Sequence, residues 1–136
     1  MSPLDEYADE ELAALYDLQY AGWTDDLPLY ESFAQRGELP SLELMVGTGR
    51  VALHLARNGH RVVGIDNSLS MLARLEAQLD RETAQRIRLV EADVRDFDLG
   101  GEKFDLIYCA LCSLELLHAP ADQAATLRCV AKHLAP

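Results

Sequence analysis

Basic residues are scarce in this chain: 12 Lys and Arg stand against 23 Asp and Glu, a formal net charge of −11. The few cations are scattered, with no stripe or run to follow a phosphate backbone, so nucleic acid is not expected as a direct partner. Long apolar runs are missing too. The longest, Leu106 to Cys112, is far short of the roughly 20 residues that cross a bilayer, so no membrane partner is expected. Asp5, Glu6, Asp9, Glu10 and Glu11 stand where a signal peptide would need a basic start and an apolar centre, and the expected location is therefore cytoplasmic. Cysteine is limited to Cys109, Cys112 and Cys129, an odd number that cannot all pair with one another and that suits a reducing compartment. Cys109 and Cys112 form a C-x-x-C, but a redox pair would open a helix after a strand, and a zinc site needs a second pair of ligands. These thiols read as small buried hydrophobes, and no metal is expected.

With 136 residues, 49% of them apolar, the chain can build one hydrophobic core, and one domain is expected overall. Leu12, Leu15, Tyr16 and Tyr20 recur at helical spacing behind an acidic start, an amphipathic opening helix. Asp26 as cap, Pro28 in the first turn, Leu29 and Phe33 four apart and Gly37 as the stop signal a second helix. From Pro40 onward the pattern alternates. Leu42 to Val46 reads as a buried strand; Val51, Ala52, Leu55 and Ala56 mark a helix ending at Gly59; Arg61 to Ile65 is the next strand. Ser68 caps a helix with Leu72, Leu75 and Leu79 on its apolar face, Ile87 to Val90 is the third strand, and Phe104 to Cys109 the fourth. Pro120 opens a last helix with Leu127, Val130, Ala131 and Leu134 facing inward. Alternating strands and helices define an α/β, Rossmann-like, doubly wound parallel sheet of about four strands, order 3-2-1-4, with helices on both faces.

In such a sheet ligands lie beyond the carboxyl ends of the strands. The first strand ends at Gly47 and Gly49, which let the backbone turn sharply and approach a ligand closely. Asp66, 17 residues beyond Gly49, ends the second strand, where a carboxylate can accept from both hydroxyls of a ribose. The third strand runs into Asp93 and Val94, whose carboxylate and backbone can read an adenine amine and ring. The glycine-x-glycine-x-x-alanine pattern also fits a dinucleotide fingerprint, so a nicotinamide-dependent oxidoreductase is one reading. Glu43, four residues before Gly47, argues for a cationic ligand instead. A charge pair ~4 Å apart is worth ~4 kcal/mol at an effective dielectric near ~20, and a carboxylate opposes a pyrophosphate while favouring a sulfonium or ammonium.

The segments "LELMVGTGRVALHLARNGHRVVGIDNSLSMLARL", "RIRLVEADVRDFDLGGEKFDLIYCALCSLELL" and "LRCVAKHLAP" together resemble the class I S-adenosylmethionine-dependent methyltransferases, over roughly residues 40 to 136. "YDLQYAGWTDDLPLY" looks like the lid segment often found before that domain. The resemblance implies a division into a helical lid, 1–39, and a cofactor-binding half domain, 40–136. It implies S-adenosyl-L-methionine as cofactor, with Gly47 and Gly49 under its methionine part, Glu43 toward its ammonium and Asp66 on the ribose. Asn67 and Met71 would flank the adenosine, Asp93 and Val94 would read the adenine, and the backbone at Ala110 and Leu111 would face the methionine. Tyr16 and Tyr20 would close over the cofactor.

Two departures accompany the resemblance. The family often has a third glycine where this chain has Met45, whose side chain is expected to point into the core. The family's sheet normally continues for three more strands, so a shortened form is expected, with the fourth strand an open edge able to mediate a homo-oligomer. The implied reaction moves a methyl group to a nitrogen, oxygen or carbon of a small-molecule acceptor. Positioning supplies much of the rate in such a transfer, and no nucleophile on the enzyme is required. His118, after the fourth strand, is the one candidate base, against the alternative of a surface histidine. A cofactor-binding remnant without turnover is the non-enzymatic alternative.

Overall fold

The computed structural model describes residues 9–136; Asp5 and Glu6 of the acidic start lie outside the described residues. The elements are α1 (Glu10–Tyr20), α2 (Leu27–Ala34), β1 (Ser41–Leu44), α3 (Arg50–Arg57), β2 (Val62–Asp66), α4 (Leu69–Glu76), β3 (Ile87–Glu91), β4 (Leu106–Cys109) and α5 (Pro120–His133). The strands form one parallel sheet in the order β3-β2-β1-β4, as the alternation of elements predicts. All four residues of β1 and all five of β2 are buried, so the polar members of β1, Ser41 and Glu43, are buried along with its leucines.

Period-two alternation sorts the side chains onto two cores. Leu42, Leu44, Val63 and Ile65 join Phe97, Phe104, Leu117 and Cys129 on the α5 side. Val62 and Tyr108 join Val51, Leu55, Leu72 and Leu75 on the side covered by α2, α3 and α4. The strand ends differ from the sequence reading by the physics of the turn. β1 stops at Leu44 because Met45 leaves extended geometry at φ +53°, and β4 begins only at Leu106, with Phe104 bridged to Leu134.

Helix existence is as expected; several buried faces are not. In α1, Ala13 is the buried residue while Leu12 and Leu15 are exposed, and the helix is held to α4 by the Arg74–Asp17 ion pair at 2.8 Å. In α2, Leu27 and Ala34 are buried and the expected pair Leu29 and Phe33 is exposed. Asp26 stands at the start of α2, yet its carboxylate makes no cap bond; both its oxygens take the Arg50 guanidinium, at 2.6 and 2.7 Å. Such a two-pronged pair is geometrically stronger than a solvent-facing cap, and it fixes the α1–α2 connection to the start of α3. In α5, Thr126, Cys129 and His133 face inward, whereas Leu127, Ala131 and Leu134 are exposed. The polar members of that face are satisfied locally. Thr126 donates to the Asp122 carbonyl, and His133 bonds the Cys129 carbonyl through Nδ1 while Nε2 accepts from the Leu99 N–H. Among the three thiols only Cys129 is buried; Cys109 is half-buried and Cys112 is exposed, so the expectation of buried cysteines holds for one. No helix among the described residues is long and apolar enough to cross a membrane.

Gly49 joins the sheet to its first crossover helix under two constraints at once. Its φ is +85°, and a Cβ there would lie 2.1 Å from Leu75 Cδ1 of α4. Gly59 shares the positive φ, at +92°, with nothing within 4 Å. Left-handed geometry costs a non-glycine about 1–2 kcal/mol, and overpacking a core adds about 1–3 kcal/mol. Gly49→Ala is therefore expected to lose about 2–5 kcal/mol in urea unfolding and Gly59→Ala only about 1–2 kcal/mol. Equal losses in the two variants would contradict the packing argument.

Candidate functional site

The carboxyl ends of the strands are where this backbone is strained. All three non-glycine residues with positive φ among the described residues follow β1 or β4: Met45 at +53°, Leu111 at +51° and Cys112 at +57°. Residues held this way persist where neighbouring structure over-determines them, and they gather at functional sites. For Met45 the fixing is visible on both sides. Leu44 is in register with Ile65, and the next residue, Val46, donates its N–H to the Ile65 carbonyl at 2.9 Å.

Two small cavities open at this end of the sheet. The first, about 50 Å³, is lined by Tyr16 of α1, by Met45 and Gly47 of the turn after β1, by Asp66, Asn67, Ser68 and Met71, and by Ser113 and Leu116 after β4. The second, about 10 Å³, is lined by Met45, Asn67, Ala92, Asp93 and Val94. Sites that bury a ligand of drug size usually enclose ~300–1,000 Å³, so the cleft is closed in this conformation. The structure thus brings together Tyr16, Gly47, Asp66, Asn67, Met71, Asp93 and Val94. It does not bring Tyr20, Glu43, Gly49, Ala110, Leu111 or His118 to either cavity wall. Tyr20 lines a separate cavity of about 490 Å³ between α1 and α3, Ala110 is buried, and His118 is exposed at the start of α5. Met45, expected to point into the core, packs on the α5-side core and also walls both cavities.

Asp66 is nearly buried, at 8% exposure, and its two oxygens accept from the Gly47 and Ser68 backbone N–H groups, each at 2.9 Å. Burial raises its pKa, and the backbone donors of Ser68 and Gly47 pull it back. The Asn67 N–H is a third backbone donor to this carboxylate, which leaves acceptor capacity for a ligand hydroxyl. Ser68 caps α4 as expected, accepting from the Met71 N–H at 3.2 Å, and this holds Met71 on the cavity wall.

Asp93 is occupied rather than free. Both its oxygens engage the Arg95 guanidinium, at 2.9 and 2.5 Å, and Oδ1 also accepts the Arg95 N–H. The Arg95 hydrogen bond holds its pKa below the usual carboxylate value. Arg95 carried no signal in the sequence beyond its proximity, nor did Ser113 and Leu116, which reach the cavity from an irregular turn.

Glu43 is the clearest departure from expectation. It lies on the strand face opposite Leu42 and Leu44, is 2% exposed, and accepts the Tyr108 hydroxyl at 3.0 Å and the Ala52 N–H. Ala52 is the third residue of α3, so Glu43 satisfies one of the donors a helix leaves unpaired at its start, a task Gly49 cannot perform. Burial pushes the Glu43 carboxyl up to about 8, opposed by the Tyr108 bond and the field of Arg50. At neutral pH this group is largely uncharged and supports the fold from below; it does not present a negative charge to the mouth.

An open parallel sheet with a glycine turn after its first strand and a carboxylate closing its second is the nucleotide-cofactor class of α/β fold. Comparison with known proteins narrows the class. Residues 42–136 match the family described as "Methyltransferase domain". The chain is 30% identical over 129 residues to the Bacillus subtilis (strain 168) protein YqeM, covering 91% of this chain and 50% of that one. It superposes on S-adenosylmethionine-bound CalS10, an amino pentose methyltransferase from Micromonospora echinaspora, with a TM-score of 0.77 and 27% identity, covering 90% of this chain and 52% of that one. The glycopeptide N-methyltransferase MtfA, solved with S-adenosylmethionine, gives a TM-score of 0.73 and 27% identity over 85% of this chain and 52% of that one. This chain belongs to the methyltransferase-domain family, and it spans about half the length of these relatives.

The buried acid yields a pH prediction. Glu43 has a raised folded pKa, so its contribution to stability is complete below its ordinary value of 4.5 and is lost as pH rises through about 8. Glu43→Gln keeps an acceptor for Tyr108 and Ala52 but cannot ionise. The melting temperature of the variant relative to the parent is expected to climb from pH 5 to about pH 8 and to level off above it; a flat difference from pH 5 to pH 8 would contradict a buried titrating Glu43.

Proposed function

We propose that this chain carries the S-adenosylmethionine-binding half of a methyltransferase acting on a small-molecule acceptor. The observation that carries the reading is the cavity at the strand ends, where Gly47, Asp66, Asn67 and Met71 meet under Tyr16. The residues fit an adenosyl cofactor. A Cβ at Gly47 would point toward the Tyr16 ring, 3.9 Å away, so the glycine leaves room in the cradle. Asp66 has spare acceptor capacity for a ribose hydroxyl, and the adjoining cavity offers a backbone edge at Val94 for adenine, the Asp93 carboxylate being engaged by Arg95.

When bound, the cofactor supplies an activated methyl group, and the protein's part is placement. In this reading the segment that precedes β1, described from residue 9 to residue 39, forms a lid, and the first eight residues of the expected 1–39 lid lie outside the described residues. Tyr16 of α1 covers the cavity, and the Arg74–Asp17 pair anchors that helix on α4. His118 is exposed and lines no cavity here, so no base is assigned to it. With Glu43 neutral and turned away, charge at the mouth no longer separates this cofactor from a nicotinamide dinucleotide; the match of residues 42–136 to a methyltransferase family favours the former. A nitrogen acceptor is supported by one relative, the glycopeptide N-methyltransferase MtfA. Among the described residues β4 pairs only with β1, so its other edge is open to a further strand, including one from a second copy.

Thermal unfolding with added S-adenosylhomocysteine tests the reading. At ~100 times its dissociation constant the ligand should stabilise the chain by about 2.7 kcal/mol, while NADH at the same concentration should leave the melting point unmoved. The reverse pattern would move the assignment to an oxidoreductase-like domain. Transfer of a labelled methyl group to a panel of small amines then separates an enzyme from a cofactor-binding remnant.

A further inference from the structure

Met45 is the point at which this chain leaves the glycine pattern of its turn, and it also stands at the centre of the candidate cleft. Only Met45 and Asn67 line both cavities. Asn67 is exposed and belongs to the solvent rim, whereas Met45 is half-buried and packs on the core that includes Val94. The wall between the two compartments is therefore, on its inner side, the Met45 side chain. Its backbone cannot yield, because pairing at Leu44 and the Val46 bond to Ile65 hold the residue in left-handed geometry. Its side chain can yield. The thioether is unbranched and has three rotatable bonds, and its one recorded polar contact is the Cys109 thiol at 4.0 Å.

We propose that Met45 sets the affinity of this cleft for adenosyl ligands by acting as a movable partition between the Gly47–Asp66–Met71 compartment and the Asp93–Val94 compartment. The proposal rests on the cofactor reading above. A ligand long enough to reach both compartments enters only when the side chain swings aside, so its apparent dissociation constant is the intrinsic one divided by the fraction of molecules in the open state. With a minor open state of ~1–10%, the partition weakens binding by ~10- to 100-fold.

The strain and the partition are separable by substitution. Met45→Gly removes both the side chain and the left-handed penalty. Met45→Ala removes the side chain beyond Cβ but leaves the penalty, and Met45→Leu keeps the bulk. Titration calorimetry of the 136-residue chain with S-adenosylhomocysteine is expected to show at least ~10-fold tighter binding in the Gly and Ala variants and less than ~3-fold change in the Leu variant. Tightening in the Gly variant alone, or in neither, overturns the partition. Failure of the parent and every folded variant to bind overturns the cofactor reading itself and the partition with it. A measurement on the unaltered chain guards against variants that do not fold: in protein carrying carbon-13 at its methionine methyls, the Met45 methyl carbon shift, which reports the side-chain rotamer, should change when S-adenosylhomocysteine is added. An unchanged Met45 rotamer in the ligand-bound chain overturns the proposal.

Discussion

The bridge that Asp66 makes between two backbone amides organises this end of the molecule. One carboxylate oxygen takes the Gly47 N–H in the turn after β1, and the other takes the Ser68 N–H at the entry to α4. Hydrogen bonds to a charged group are worth about 1.5–3 kcal/mol each, and a buried carboxylate left without them would carry its desolvation cost uncompensated. The turn, the helix entry and the candidate ligand carboxylate are thus one unit. The same bonds that fix the turn also oppose the upward shift that burial imposes on the Asp66 carboxyl.

A second carboxylate, Glu43 on the neighbouring strand, is driven further in the same direction by burial, and the difference is the number and kind of donors. Asp66 is held by peptide N–H groups at a helix entry and a glycine turn. Glu43 is more deeply buried and meets one phenol and one amide, with Arg50 acting through its field while its two terminal nitrogens engage Asp26. Desolvation then prevails, and the group is held in its neutral form. Charge in the sequence motif is therefore not the same thing as charge at the site.

This contrast shows what was legible in the sequence. The sheet order and the path from β1 through α4 follow from strong local signals: fully buried strands, a glycine turn, a serine cap and the Val51, Ala52, Leu55, Ala56 face. Element edges and helix faces at the periphery were less legible because tertiary partners decide them. The stripe Leu127, Ala131, Leu134 has the spacing of an inner face, yet α5 turns Thr126, Cys129 and His133 inward, since Thr126 and His133 find partners within one turn or at Leu99 and the Cys129 thiol donates to the Arg95 carbonyl. Asp26 has the spacing of a cap but belongs to Arg50, 24 residues away. Alternation places Glu43 opposite Leu42 and Leu44; it does not say which of the two faces leads to the ligand, and that was the missing piece.

The strained residues carry the argument one step further. Met45, Leu111 and Cys112 adopt left-handed geometry at the ends of adjacent, directly paired strands, β1 and β4. A single outlier could be an accident of one turn, but strain on both sides of one crevice means that the shape of the crevice is what the backbone is being held to. At Met45 the holding is done by a strand register on one side and a backbone hydrogen bond on the other, so the turn keeps left-handed geometry although the residue carries a side chain. The course of the backbone is fixed by the sheet, and the room above it is set by that side chain. A fold of this kind can alter what its cleft admits through one side chain without rebuilding the sheet that supports it.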